Sequence, residues 1–191
     1  MSAGEPLFPL FLKLTGRRVL LVGAGPVAAS KLAGLRAAGA DVVVVAPEVR
    51  PEIEAAGVAI LRRAFEPEDL DGAWFVVAAA PPAVNRAVTA AAEERRIFVN
   101  AVDDVAHATA YLGGVLRRGG FTIAVATEGR APALAGLVRE GLEALVPDEI
   151  ETWVAEASRV RERQRAEGVP FDRRRPQLLL ALNGLYEGRA S

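Results

Sequence analysis

The stretch Arg17-Arg18-Val19-Leu20-Leu21-Val22-Gly23-Ala24-Gly25-Pro26-Val27-Ala28 is an apolar run that ends in a Gly-x-Gly-x-x-Ala turn. A run of this kind predicts a buried strand, and the turn predicts a helix packed directly after it. Gly23 allows the chain to reverse tightly at the strand end. Gly25 has no Cβ to hold a pyrophosphate away from the amides that open the next helix. Val27 to Ala38 is rich in Ala and Leu and reads as that helix, with Pro26 at its first turn and Gly39 just past its end. Ala28 stands where the fingerprint has its third small residue and still permits close packing of helix on strand. A second apolar run, Val42–Val45, completes a β-α-β unit, which is the context a dinucleotide-binding turn requires. Gly23, Gly25, Pro26 and Val27 are therefore candidate cofactor contacts.

The pattern repeats outward from there. Val58–Leu61, Trp74–Ala79 and Ile97–Asn100 read as further strands, and the Ala-rich segment Pro82–Arg96 as a crossover helix. Continuously apolar strands alternating with helices predict a Rossmann-like, doubly wound, mostly parallel α/β sheet. The character changes near residue 112: Leu112–Thr127 reads as two strands around the basic, glycine-containing turn Arg117-Arg118-Gly119-Gly120, an antiparallel hairpin. Helical segments come next at Ala131–Val146, Glu149–Glu167 and about Arg173–Tyr186, with breaks at Pro147-Asp148 and Gly168-Val169-Pro170. The expected division is an NAD-binding domain over 1–112, a hairpin-and-helix region over 113–147 and a helical module over 148–191. The short hydrophobic segment Pro6–Leu12 is expected to pack against the first domain.

Composition narrows the function. The 191 residues are 51% hydrophobic, ample for a core, and 23 basic against 24 acidic side chains offer no whole-chain signal for nucleic acid. There is no Cys, which excludes disulfides, thiolate metal sites and a catalytic thiol, and fits a reducing, cytoplasmic setting. No window approaches the ~18 uninterrupted apolar residues of a spanning helix. No resident metal site is expected, and the single His107 is expected to be a surface or hydrogen-bonded residue.

The second strand should end near the adenosine ribose, where an acid favours NAD over NADP. Val45-Ala46-Pro47-Glu48 stands there, making Glu48 the nearest acid, with Arg50 close by. Asn100-Ala101-Val102-Asp103-Asp104 leaves the carboxyl end of a strand, the edge at which open α/β sheets bind ligands. A carboxylate there can accept a proton during an oxidation, while one of the two aspartates, Asp104 above all, can instead cap the following turn.

Six segments come in the order found in precorrin-2 dehydrogenases, the sirohaem-synthase enzymes, and the chain resembles that family over about residues 6 to 147. They are Pro9–Leu12, the Gly23–Ala28 turn with Lys31, Val45–Glu48, Ala78-Ala79 with Asn85, Asn100–Asp104 and Thr127–Leu134. The resemblance implies NAD-dependent oxidation of precorrin-2 to sirohydrochlorin, on a homodimer paired through the hairpin and helical region, with ferrochelatase activity in bifunctional members. It makes Asp103 the catalytic residue and sets Pro26, Val27, Pro47 and Glu48 against NAD. A substrate with many carboxylates calls for local cations, and Arg117, Arg118 and Arg130 are the candidates, with Arg139 beside them. The chain departs from the family at Ala80-Pro81-Pro82, at Ala131 and around Tyr111–Gly114. The competing expectation is a non-catalytic NAD-sensing module, which the glycine turn serves equally well but which gives no reason for Asp103 or the basic hairpin.

Overall fold

The computed structural model describes residues 7–102, 104 and 106–186, which divide into two compact units meeting at residues 112 and 113. In the first unit a five-stranded, wholly parallel sheet has the order β3-β2-β1-β4-β5. The strands are β1 (Arg18–Val22), β2 (Asp41–Val45), β3 (Ala59–Leu61), β4 (Phe75–Ala78) and β5 (Phe98–Ala101). Helices α1 (Pro26–Ala37), the single turn α2 (Pro51–Glu54) and α3 (Pro82–Glu94) connect them, with a 3-10 turn at Pro67–Leu70 before β4. The chain runs outward from β1 to β3 and then returns to place β4 on the other side of β1. The carboxyl ends of β1 and β4 thus flank the switch point of the sheet, where ligands of such folds bind.

The apolar runs form strands because both faces of the sheet are covered, and strand side chains alternate between the faces. Val19, Leu21, Val44, Phe75 and Val77 pack in one layer with Ala28, Leu32 and Leu35 of α1. Leu20, Val22, Val45, Val76 and Ala78 pack in the other with Val88, Ala91 and Ala92 of α3. Helix α1 stops where Gly39 takes a left-handed φ of 72° and Ala40 donates its N–H to Leu35 O at 3.1 Å. A polar clamp secures the 3-10 turn. Asp69, almost fully buried, accepts both ends of the Arg63 guanidinium at 2.6 and 2.8 Å and the Glu66 N–H at 2.9 Å. The Arg63 guanidinium holds the Asp69 carboxyl below its ordinary range, chiefly through these hydrogen bonds.

The segment Leu7–Leu12 does not pack as expected: every residue is exposed, Phe8 at 84% and Phe11 at 73%, and burial begins only at Leu14. Strand β1 is already paired on both sides, so the preceding chain finds no sheet edge to join, and Pro9 lacks the N–H a ladder needs.

In the second unit β6 (Gly114–Arg118) and β7 (Phe121–Val125) pair antiparallel, with Arg118 opposite Phe121. The two linking residues, Gly119 and Gly120, have φ of 51° and 80°, as a tight hairpin of this hand requires. Helices α4 (Pro132–Leu145), α5 (Ile150–Ala166) and α6 (Phe171–Gly184) complete it, α4 against the hairpin and α5 against α6. Among the described residues no helix is long and apolar enough to cross a membrane.

Candidate functional site: the carboxyl edge of the parallel sheet

Gly23 and Gly25 serve different purposes. A Cβ on Gly23 would lie 2.2 Å from Ala79 O, and its φ of 101° belongs to glycine, so this residue lets the β1 turn pass against the end of β4. A Cβ on Gly25 would meet nothing within 4 Å. The space above Gly25 is therefore open, at the point where α1 begins with an extended cap residue and no side-chain cap. The first amides of a helix without a capping side chain are anion donors, reinforced by the helix dipole. Pro26 occupies the first helical position, Val27 is 42% exposed beside it, and Ala28 is fully buried beneath. The donors, the missing Cβ and the exposed apolar Val27 fit a dinucleotide pyrophosphate.

The neighbouring loop is tied to this turn. Gly23 donates its N–H to Val45 O at 2.9 Å, and the Arg50 N–H reaches Ala24 O at 3.4 Å. Pro47 and Glu48 lie exposed on that loop, and among the described residues no ion pair engages Glu48. Arg50 is turned away to Glu52, which it grips at 2.9 and 3.2 Å, lowering the Glu52 pKa and raising its own.

At the ends of β4 and β5 the buried Asn85 is the brace. Its Oδ1 accepts the Ala80 N–H at 2.9 Å and its Nδ2 donates to Val102 O at 3.5 Å, joining α3 to both strand ends. Val102 N–H in turn donates to Ala78 O at 2.9 Å. The chain beyond is folded back on β5: Asn100 Nδ2 donates to Ala110 O at 2.9 Å, and Thr109 Oγ1 accepts the Val99 N–H at 2.8 Å. The turn at Asp104 is closed by its backbone O, which accepts the His107 N–H at 3.3 Å, while its Oδ1 lies 2.7 Å from His107 Nδ1, a side-chain pairing in place of the expected cap. Asp103 itself lies outside the described residues. In the sequence Asn85 is marked only by its place in one of the six family-like segments, early in an alanine-rich helix. Its bracing role becomes visible only when β4 and β5 are seen side by side.

The basic candidates belong to the second unit. Arg117 is exposed and, among the described residues, has no hydrogen bond or ion pair. Arg118 is committed to the end of α4, donating to Val146 O and to Glu143 O and pairing with Asp148 at 3.2 Å. Arg130 pairs with Glu128 at 2.9 Å, and Arg139 with Glu140 and Glu143. Among the described residues no group of three His, Cys, Asp or Glu side chains is arranged to hold a metal ion.

Sheet order, glycine turn and open helix start define a dinucleotide-binding protein of the Rossmann type. A family model described as "Putative NAD(P)-binding" matches residues 10–114, more than half of the chain, and the chain belongs to that family. It is 39% identical over 183 residues to a siroheme synthase of Photorhabdus laumondii, covering 93% of this chain and 39% of the relative. With the siroheme synthase of Chromobacterium violaceum it shares 47% identity over 146 residues, 73% of this chain and 31% of that one. The chain thus spans well under half the length of the curated relatives it matches. A solved structure of SirC, a precorrin-2 dehydrogenase, superposes with a TM-score of 0.70 at 27% identity, covering 91% of this chain and 88% of that one. The resemblance carried by the six segments is borne out, and so are the fold and the nicotinamide dinucleotide.

Proposed function

We propose that this protein oxidises precorrin-2 to sirohydrochlorin with NAD, in a homodimer. The observation that supports it most is the pairing of an open glycine turn at the switch point with an Asn85-braced strand end that leads directly into Asp103. The reaction removes a hydride and a proton from the substrate. When bound, NAD supplies the hydride acceptor. The chain's part is to hold the dinucleotide and take the proton. Gly25 and the first amides of α1 meet the pyrophosphate, Pro26 and Val27 contact the cofactor, Gly23 fixes the turn, and Pro47 and Glu48 lie beside the adenosine ribose. With Arg50 engaged by Glu52, the loop offers no spare cation to a 2′-phosphate, which favours NAD over NADP. The Asp103 carboxylate accepts the proton, a role that needs only a positioned base.

Arg117, Arg118 and Arg130 are assigned to substrate carboxylates. Arg117 stands foremost because it has no partner among the described residues, whereas Arg118 and Arg130 are already engaged. The homodimer reading rests on the second unit, where Leu134, Leu137, Val138 and Leu145 form an exposed stripe along α4. The three-part division into NAD-binding domain, dimerisation hairpin with α4 and C-terminal helical module belongs to the same proposal, as does a cytoplasmic setting.

The test is anaerobic incubation of the purified protein with enzymatically made precorrin-2 and NAD. NADH and sirohydrochlorin should appear together in equal amounts, and Gly25→Asp, which has room for its side chain but repels the pyrophosphate, should abolish both while the melting temperature holds. NAD binding by the wild type without either product would instead favour the sensing module. Adding ferrous ion to sirohydrochlorin, with and without protein, tests chelation separately.

A further inference from the structure

The end of the first unit's sheet opposite the glycine turn holds an open cavity of about 460 Å³, within the size range of small-molecule sites. It is walled by the segment entering β1, by Trp74 just before β4, and by the turn from α3 into β5. Lys13, Arg17, Arg95 and Arg96 line it, and among the described residues no acidic side chain does. Arg95 is accounted for, since it donates to Ala91 O and pairs with Asp71 at 3.3 Å, serving the carboxyl end of α3. Lys13, Arg17 and Arg96 have no ion-pair partner among the described residues. In a chain whose formal net charge is −1, three uncompensated cations around one hollow form a local positive field.

The aromatic lining is equally specific. Trp74 is 54% and Phe98 49% exposed, although the residues that follow them, Phe75 and Val99, are packed in the core. Arg17 lies over the Trp74 ring, with its guanidinium carbon 3.9 Å from the centroid, so the cation is held at the rim by the indole. Arg96 carries a further sign. It stands just past α3 with φ of 56°, in a helix-terminating turn closed by Ile97 N–H to Ala92 O at 2.9 Å. Glycine takes that conformation freely and arginine does not, so a backbone-only reason for the residue is missing, whereas its side chain lines the cavity.

From these features we propose a second ligand site, distinct from the dinucleotide site, for a flat aromatic ring bearing a phosphate or carboxylate. The ring packs against Phe98 and the exposed part of Trp74 that Arg17 leaves uncovered, and the anion is met by Lys13, Arg17 and Arg96. Neither the assignment nor its test depends on the dehydrogenase reading, because the site lies on the other edge of the sheet and binding is read from Trp74.

The experiment uses the full chain with Trp153→Phe, which leaves Trp74 as the only tryptophan. Its emission is titrated with 1-naphthyl phosphate, 1-naphthoate, 1-naphthol and inorganic phosphate. Saturable quenching by either charged ring, at least tenfold tighter than by naphthol or phosphate and weakened by added salt, is expected. The two charged probes distinguish a phosphorylated ligand from a carboxylated one. Arg96→Gly removes a cation while giving the turn its preferred residue, so the variant folds, and it should weaken binding threefold or more. Gly25→Asp, which blocks the dinucleotide turn, should leave the titration unchanged. Quenching that does not saturate, equal affinity for charged and neutral rings, an unchanged affinity in Arg96→Gly, or loss of binding in Gly25→Asp would each overturn the proposal.

Discussion

The two units solve the burial of apolar side chains differently. In the first, alternate residues of each central strand enter one of two layers, and Val19, Leu20, Leu21, Val76 and Val77 are wholly enclosed. In the second, Leu116, Ala135, Val160 and Val169 are the buried apolar residues among those described, α6 buries none, and Leu137, Leu145, Phe171 and Leu180 stand mostly in solvent. A parallel sheet covered on both faces closes its own core. A two-stranded hairpin with three helices leaves much of its apolar side-chain surface in solvent. The difference teaches where to look for function within the chain and where to look for a partner: the first unit is a finished scaffold with an open ligand edge, the second an unfinished surface.

The contrast breaks most visibly in the closed core. Phe75→Ala removes a fully packed ring from the centre of the sheet and should cost about 3–5 kcal/mol, seen as a drop in the denaturant midpoint. Leu137→Ala, on the exposed face of α4, should change the stability of the isolated chain by less than about 0.5 kcal/mol. Its effect should appear in the proposed homodimer: Leu137→Glu is expected to move the sedimenting species from dimer to monomer at micromolar protein. An unchanged mass would remove α4 from the interface.

A smaller and pH-dependent effect is expected at the clamp of the first unit. Asp69 has a folded-state pKa below its unfolded one because Arg63 binds its charged form, so folding favours deprotonation. That contribution is complete above the ordinary carboxylate range near pH 4 and is lost as pH falls through the lower folded value. Asp69→Asn should cost about 1–3 kcal/mol at pH 7 and progressively less in acid, measured by thermal unfolding across that range. A penalty constant with pH would contradict the ion pair.

Much of this was legible in the sequence, for reasons that differ by residue. The parallel strands could be read because a sheet buried on both faces leaves uninterrupted Val and Leu runs, and the hairpin because the glycine-containing turn between its two strands leaves no room for a helix. The separate tasks of Gly23 and Gly25 could not be read, because nothing in the chain says that Ala79 O will lie against one and open space above the other. Nor could the commitment of Arg118 to the end of α4, which depends on chain packing across 28 positions. The expectation for Leu7–Leu12 failed because hydrophobicity alone does not supply a surface to cover it.

The braced edge of the first unit is proposed to carry the proton acceptor of an NAD-dependent oxidation. Asp103→Asn keeps shape and hydrogen-bonding capacity but removes the base, so its effect on turnover, measured beside NAD affinity, addresses that role directly. The expected result is NAD binding within about twofold of the wild type and a loss of kcat for precorrin-2 oxidation on the order of 10²–10⁴. Turnover by the variant within a few-fold of the wild type, with NAD still bound, would contradict it.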